Sequence, residues 1–163
     1  MAKNQDEAVL ADDALEDAGS ESRVYELGFH LDPELPTEEA KKAYQAMRAA
    51  IAGKGAVVAE GEPEKIQLAY TISLQETSGR RDFDSAYFSW IAYETTATEH
   101  AGIIAAAGAD KHIIRFIDLL TTKDAARHSV EVREISLKAS ERAEDAEEIA
   151  GAELDAALEN VVV

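Results

Sequence analysis

The chain has 163 residues and a formal net charge of −17 at pH 7, and it contains no cysteine. That length suits one domain with extensions rather than two full domains. Without cysteine the chain can form no disulfide and no thiolate metal site. No apolar run reaches the roughly 18 residues of a membrane helix, and the first twenty residues lack the basic start and apolar core of a secretory signal. We therefore expect a protein of the reducing cytoplasm that does not bind a membrane.

The negative charge is concentrated at the two ends of the chain. Residues 1–22 carry a net charge of −6, residues 23–122 carry −5 and residues 123–163 carry −6. The first of these segments is rich in Asp, Glu, Ala and Gly and can bury too little apolar surface to offset chain entropy, so we expect an acidic disordered extension. The last is expected to be a second acidic extension, partly helical or disordered. The folded domain is then predicted at 23–122.

Residues 24–31 alternate apolar with polar or small side chains, which predicts a half-buried strand. Two prolines within residues 32–36 end it. Thr37 is the predicted N-cap of a helix over 37–52, whose apolar residues recur at helical spacing. Next come a predicted strand over 56–72, interrupted at 61–63, and a loop over 75–84. A strand over 86–94 follows, then a helix over 99–107 capped by Thr98 and a strand over 113–121. The last stretches are an unassigned mixed run over 130–137 and a marginal helix over 140–159.

The order of these elements predicts the fold. Strand, helix, strand, strand, helix, strand within about one hundred residues is typical of the split βαβ unit. We therefore expect an α+β, ferredoxin-like βαββαβ fold with acidic N- and C-terminal extensions. Its four-stranded antiparallel sheet has two helices on one face, while the other face stays open. The first and third strands are the two central ones.

The predicted strand over 86–94 holds a cluster of aromatic residues that includes the only tryptophan. Because side chains alternate along a strand, Phe88 and Trp90 share one face, and Tyr87 and Tyr93 share the other. If Tyr93 packs beneath the helices, then Phe88 and Trp90 lie exposed on the open face, where aromatic rings can stack RNA bases. The reverse assignment buries Phe88 and Trp90 instead. Periodicity alone does not separate the two.

The sequence carries no motif for catalysis or for a cofactor. The four histidines show no metal-binding spacing, and the glycines match no nucleotide-binding motif. No serine stands in a GxSxG elbow. Carboxylate pairs such as Glu38 and Glu39 fall at a helix start, where nothing indicates the burial that acid–base catalysis needs. We therefore expect no enzymatic activity, no metal, no cofactor and no small-molecule substrate.

Three short motifs within residues 23–123 resemble the bacterial small-subunit ribosomal protein S-six family. The opening strand contains Tyr25-Glu26, as the family's opening strand does. Residues 65–72 read Lys-Ile-Gln-Leu-Ala-Tyr-Thr-Ile, similar to the family's Arg-Arg-x-Leu-Ala-Tyr-Pro-Ile, with Ile66 and Thr71 as departures. Residues 86–90 read Ala-Tyr-Phe-Ser-Trp, similar to the aromatic third strand of the family.

The resemblance implies a structural constituent of the small ribosomal subunit in the cytoplasm. Members of the family bind ribosomal RNA of the central domain together with small-subunit ribosomal protein eighteen. They are acidic among ribosomal proteins, which agrees with the charge of this chain. The residues expected to bind RNA are Lys65, Tyr70, Arg80, Arg81 and Arg115, and those expected to bind the protein partner are Phe88 and Trp90.

Two alternatives stay open from the sequence. One is a ferredoxin-like protein-interaction module outside the ribosome, whose acidic extensions recruit a basic partner. The other is a module that binds single-stranded RNA by stacking bases on Phe88 and Trp90.

Overall fold

The structure, a computed structural model, describes residues 21–159. Disorder is predicted for residues 1–22, and all of these except residues 21 and 22 lie outside the described residues. The described chain forms two compact units that divide after Ala126. Within residues 21–159, no helix is long and apolar enough to cross a membrane. The elements are β1 (Ser22–Leu31), α1 (Thr37–Ala52), β2 (Ala56–Glu76), β3 (Gly79–Thr96), α2 (Ala97–Ala109), β4 (Ile113–Thr121) and α3 (Lys123–Glu159).

The four strands form one antiparallel sheet in the order β2-β3-β1-β4. As predicted, the first and third strands are the central ones. Leu27 lies opposite Ile91 on β3, and Phe29 lies opposite Phe116 on β4. This α+β arrangement is consistent with the predicted ferredoxin-like fold.

The main hydrophobic core lies between the sheet and the helices α1 and α2. Both helices contribute to the same cluster of buried residues, which also takes the odd-numbered side chains of β1 and β3. The even-numbered side chains of the two central strands therefore point to the open face. The principal members of the core are Tyr25, Leu27, Phe29, Leu31, Tyr44, Met47, Ile51, Tyr87, Ile91, Tyr93 and Ile103.

The bounds predicted for α1 and β4 are confirmed, but both predicted helix caps are wrong. Thr37 is the first helical residue of α1, and Pro36 precedes it with φ −57° and no side-chain cap hydrogen bond. The fixed φ of proline starts this helix without a capping side chain. At α2 the N-cap is Thr96, whose hydroxyl accepts a hydrogen bond from the backbone N–H of Glu99, so the helix begins before Thr98.

The prediction of a loop over 75–84 is wrong, because β2 continues to Glu76 and β3 begins at Gly79. Polar side chains pair across this part of the hairpin: Ser73 donates to Asp82 at 2.5 Å and Thr71 donates to Asp84 at 2.6 Å. Such cross-strand pairs stabilise strands that show no apolar alternation. The interruption at 61–63, which suggests a bend or bulge, is a shift of register with β3 between Gly61 and Glu64 within a continuous β2, as that prediction requires.

The unassigned run over 130–137 is helical and belongs to α3, which begins well before the predicted marginal helix. The hydroxyl of Thr122 accepts a hydrogen bond from the backbone N–H of Ala125 at 3.2 Å, which satisfies a donor of the first turn.

A hydrogen-bonded network ties α2 and β4 to the central strand β3. The hydroxyl of Tyr93 lies 2.9 Å from Nδ1 of His100, and Nε2 of His100 lies 2.8 Å from the carboxylate of Asp118. The ring of Tyr25 stacks on His100 with 3.6 Å between ring centroids. Burial, and then the charge of Asp118, raise the pKa of Tyr93, so its phenol stays neutral. All three polar groups find partners within the network, as buried polar groups require.

Trp90 occupies an unusual place in the sheet, because both of its cross-strand neighbours are glycines. It lies opposite Gly28 on β1 and opposite Gly61 on β2. A Cβ atom on Gly61 would overlap with Nε1 of Trp90, so the indole lies across that glycine. The consequence is that Trp90 is only 3% exposed although its side chain points to the open face.

We predict that Gly61→Ala destabilises the protein by about 1–3 kcal/mol, because the added methyl group overpacks the indole of Trp90. The measurement is the free energy of unfolding from chemical denaturation. Gly108→Ala is the matched control, since a Cβ there meets nothing within 4 Å and alanine favours a helix over glycine. A Gly61→Ala variant as stable as the wild type would contradict the packing described for Trp90.

Candidate functional site

The open face of the sheet carries a groove of about 340 Å³. We call it the open-face groove and define it by Gly28, His30, Tyr70, Phe88, Arg115 and Ile117. Its floor is Gly28, where an added Cβ would lie 3.3 Å from Cγ2 of Ile117 and 3.7 Å from the ring of Phe88. The absence of a side chain at Gly28 therefore leaves the space between these two walls open.

One end of the open-face groove is formed by Arg115 and Tyr70, which come from the two edge strands of the sheet. Arg115 donates a hydrogen bond of 2.6 Å to the hydroxyl of Tyr70, and its guanidinium lies 5.4 Å from the centre of that ring. Among residues 21–159, no carboxylate lies within ion-pair distance of Arg115. Because this partner is a tyrosine hydroxyl and not a carboxylate, it does not offset the positive charge of the guanidinium, and Tyr70 remains 64% exposed beside it.

Tyr70 reaches the groove because β2 bulges. The pairing with β3 passes from Gln67 opposite Ser85 to Ile72 opposite Phe83, so the four residues 68–71 of β2 stand against Asp84 alone and β2 has three extra residues. A bulge re-aims side chains and bends its strand. A second, smaller core supports the bent part of the hairpin and includes a residue of β4. Its members are Ile72, Phe83, Ala86 and Ile114, with Leu68 and Leu74 packed against them.

The middle of the open-face groove is aromatic. The rings of His30 and Phe88 lie 5.6 Å apart at an interplanar angle of 53°. Burial, and then the charge of Arg115, lower the pKa of His30 below its ordinary value of 6.5, so the imidazole is neutral at pH 7. Together with Tyr70, these residues present three flat rings beside one cation.

The other predicted RNA-binding residues lie outside the open-face groove. Lys65 is exposed, lies 5.7 Å from the ring of Tyr87, which belongs to the helix-covered face, and donates to the carbonyl of Pro33 at 3.4 Å. Arg80 is exposed near the hairpin turn and pairs with Asp82 at 3.2 Å. The structure thus brings Tyr70 and Arg115 together but not the whole predicted set.

Arg81 is the most strongly neutralised of the predicted cations. Its guanidinium contacts the carboxylates of Asp32 at 3.0 Å, Glu34 at 2.5 Å and Glu76 at 3.0 Å. It also lies 4.7 Å from the ring of Phe83. Arg81 therefore ties the far end of the hairpin to the loop after β1.

Of the two face assignments that the sequence leaves open, the structure has the one in which Phe88 and Trp90 point to the open face, but Trp90 is buried there. Phe88 is half-buried in the open-face groove, whereas Trp90 is 3% exposed over Gly61. Sequence reasoning missed His30, Gly28 and Ile117 as groove residues. A usable signal was present for the first two, since they alternate with the core residues of β1 and so must share a face with Phe88.

The chemistry of the open-face groove suits a ligand that combines an anion with a flat ring. A guanidinium makes strong charge-assisted hydrogen bonds to phosphate or carboxylate oxygens, and neutral aromatic rings stack on bases or on aromatic side chains. Among the described residues, no group of three or more His, Asp or Glu side chains is placed to hold a metal ion. A guanidinium beside flat rings is suited to an anionic, partly planar ligand.

Comparison with known proteins finds similarity among solved structures. No protein-family model and no curated protein sequence matches the chain. Among solved structures, the chain is similar to 30S ribosomal protein S6 from Thermotoga maritima, with 16% sequence identity and a TM-score of 0.49. The match covers 72% of this chain and 99% of the other. At that identity, no residue role is carried over from the other protein.

We predict that stability depends on pH through His30. Its pKa is lower in the folded protein than the ordinary 6.5, so the unfolded chain binds the proton more tightly. Well above pH 6.5, the uncharged imidazole of His30 makes its full contribution to the free energy of unfolding. This contribution declines as the pH falls below 6.5 towards the lowered pKa of the folded protein. Denaturant unfolding across this range should show the decline in the wild type.

The variant His30→Gln should lose this part of the pH dependence, because it removes the titrating group. His128→Gln is the matched control, since the side chain of His128 is 74% exposed. An unchanged pH profile for His30→Gln would exclude His30 as the cause.

Proposed function

We propose that this chain is a structural constituent of the small ribosomal subunit. It binds ribosomal RNA of the central domain through the open-face groove, and it acts there with small-subunit ribosomal protein eighteen. Support comes from the Leu-Ala-Tyr motif at 68–70 and the Ala-Tyr-Phe-Ser-Trp motif at 86–90. Each motif supplies one residue of the open-face groove, Tyr70 and Phe88.

The observation that carries the proposal is the state of Arg115. In a chain of net charge −17, the other arginines that contact the sheet are neutralised by carboxylates. Arg48 is held at two nitrogens by Glu60, and Arg81 is held by three acids. Arg115 instead donates to the hydroxyl of Tyr70, which leaves its charge for a phosphate oxygen. A cation kept free of acids in so acidic a protein is suited to an anionic ligand.

The proposed RNA contacts divide into two kinds. Arg115, Lys65 and Arg80 contact phosphates, since each is exposed, and this supplies affinity that depends on salt. The pair of Arg80 with Asp82 lies in solvent and is weak, so it does not prevent this contact. Tyr70 contacts a base or sugar from the rim of the groove, where it is 64% exposed. Arg81 contributes indirectly by holding the end of the hairpin, because its donors already serve three carboxylates.

The proposed partner surface follows the apolar part of the same face. Phe88 borders Ile117, which is 58% exposed, and Leu119 is 47% exposed two residues further along β4. Both β4 residues point to the open face by their pairing with Gly28 and Glu26. Exposed apolar side chains in a row mark a protein interface more often than a nucleic-acid interface. Trp90 lies on the same face, but its indole lies over Gly61 and is 3% exposed, so Phe88 makes the direct contact with the partner. A partner rich in basic residues suits the acidic chain.

A second candidate function is the binding of single-stranded RNA outside the ribosome. The three rings beside Arg115 favour it, because aromatic rings that stack bases are the usual means of recognising unpaired nucleotides. In either case the proposed role is binding in the cytoplasm and not catalysis.

We predict that Arg115→Gln weakens binding to a central-domain fragment of ribosomal RNA by roughly tenfold or more, since it removes one charge-assisted phosphate contact. The slope of log affinity against log salt concentration should become shallower by about one. Fluorescence anisotropy of labelled RNA measures both.

Arg23→Gln is the matched control for Arg115→Gln. Arg23 is also exposed, and its nearest carboxylate is that of Glu21. It stands five residues along β1 from Gly28, and so about 16 Å from that edge of the open-face groove. Equal losses for both variants would mean that the groove is not the RNA site.

We further predict that the protein co-sediments with the small ribosomal subunit in extracts of its native cell, and that moderate salt washes leave it bound. Recovery only in ribosome-free fractions would overturn the ribosomal role. Binding of unpaired RNA by the same protein in those fractions would then favour the second candidate function.

A further inference from the structure

The helix α3 carries an exposed apolar stripe with a regular period. Eight apolar residues recur at spacings of three, four and four residues, which repeats every eleven residues. All eight side chains are exposed, including Ile135 at 68% and Leu154 at 64%. The stripe consists of Val132, Ile135, Ala139, Ala143, Ala146, Ala150, Leu154 and Ala157.

An eleven-residue period is the pattern of helices that pack along their length. It corresponds to about 3.67 residues per turn, so the stripe follows an almost straight line along the helix. From Val132 to Ala157 it covers about 38 Å at 1.5 Å per residue. A helix surface of that length, apolar at each of eight successive contact positions, is suited to packing against a second helix.

We propose that the occupant is the α3 helix of a second copy of this chain, packed antiparallel. The spacings along the stripe are three, four, four, three, four, four and three, which is the same sequence in either direction. An antiparallel second copy therefore sets stripe residues opposite stripe residues. Ile135 lies opposite Leu154 of the second copy, Ala139 opposite Ala150, and Ala143 opposite Ala146, in a symmetric contact.

Charge selects the antiparallel orientation. Residues 127–142 carry a net charge of +1, whereas residues 143–159 carry −7 with no basic residue. Parallel packing would set the two acidic halves side by side, and like charges at close range are unfavourable. Antiparallel packing sets each acidic half against the half with net positive charge.

Individual flanking residues agree with the same orientation. On a helical projection, Lys138, Arg142, Asp145 and Glu153 all lie on one side of the stripe. In the antiparallel register, Arg142 comes beside Asp145 of the second copy, and Lys138 comes beside Glu153. The alanines in the middle allow the helix axes to approach to about 8 Å. This pairing uses the second compact unit alone and does not depend on RNA binding by the first.

The test compares the full chain with two variants by analytical ultracentrifugation from micromolar to millimolar concentration. The wild type should show a concentration-dependent monomer–dimer equilibrium.

Ala146→Glu places a charge within the stripe and should raise the dimer dissociation constant by about tenfold or more. Ala152→Glu is the same substitution about 140° round the helix from the middle of the stripe, and it should leave that constant within about threefold of the wild type. Circular dichroism should show equal helix content, since alanine and glutamate are both good helix formers.

The chain's lack of cysteine makes a direct test of orientation possible. Mild oxidation of a mixture of Val132→Cys and Ala157→Cys chains should give the cross-linked heterodimer, because these positions face each other in the antiparallel register. Ala157→Cys alone should remain uncross-linked. A wild type that stays monomeric at every concentration, a dimer that Ala146→Glu does not weaken, or self-cross-linking of Ala157→Cys would each overturn the proposal.

Discussion

The contact between Trp90 and Gly61 determines the shape of the open face. A tryptophan on a central strand needs lateral space, and the glycine opposite it on β2 provides that space. Because the indole lies over Gly61, the other glycine neighbour, Gly28, stays uncovered by it. Phe88 and Ile117 border that second gap closely: a Cβ atom at Gly28 would lie 3.7 Å from the ring of Phe88 and 3.3 Å from Ile117, the latter tighter than an ordinary contact. One buried aromatic residue thus leaves a groove beside it on a sheet that would otherwise be filled.

Electrostatics then determines what the open-face groove can hold. Arginine side chains elsewhere join the elements of the domain: Arg48 binds Glu60, and Arg81 binds the loop after β1 through Asp32 and Glu34. Each of those contacts lowers the positive charge that a ligand would meet. Arg115 differs because the bulge in β2 brings a tyrosine, and not a carboxylate, to its guanidinium. The bulge therefore preserves a cation where the sheet is most open.

The parts of the fold that could be predicted from the sequence are those whose apolar residues recur with one regular period. The alternation in β1 and the helical stripe in α1 are governed by burial on one side, so their bounds and faces follow from the residues. The hairpin beyond Gln75 is held by polar pairs such as Ser73 with Asp82, which depend on register and are invisible to hydropathy. The Tyr70–Arg115 contact depends on a bulge that no local pattern specifies. The aromatic content of the groove and its arginine could be predicted, but its face and its floor could not, because periodicity alone leaves both faces of β3 open.

An acidic chain can bind the proposed anionic ligand because salt screens those negative charges that lie far from the open-face groove. At physiological ionic strength, charges separated by more than about 8 Å are largely screened, so a phosphate in the groove responds mainly to Arg115 and its neighbours. The net charge of −17 acts instead on the approach of the ligand, which it slows, and on the choice of partner, which it directs towards basic surfaces. Salt therefore has two opposed effects, since it weakens the contact at Arg115 and relieves the repulsion during approach. A basic protein bound to the open face would remove that repulsion without weakening the contact, so RNA binding shared with such a partner is the arrangement that these charges favour.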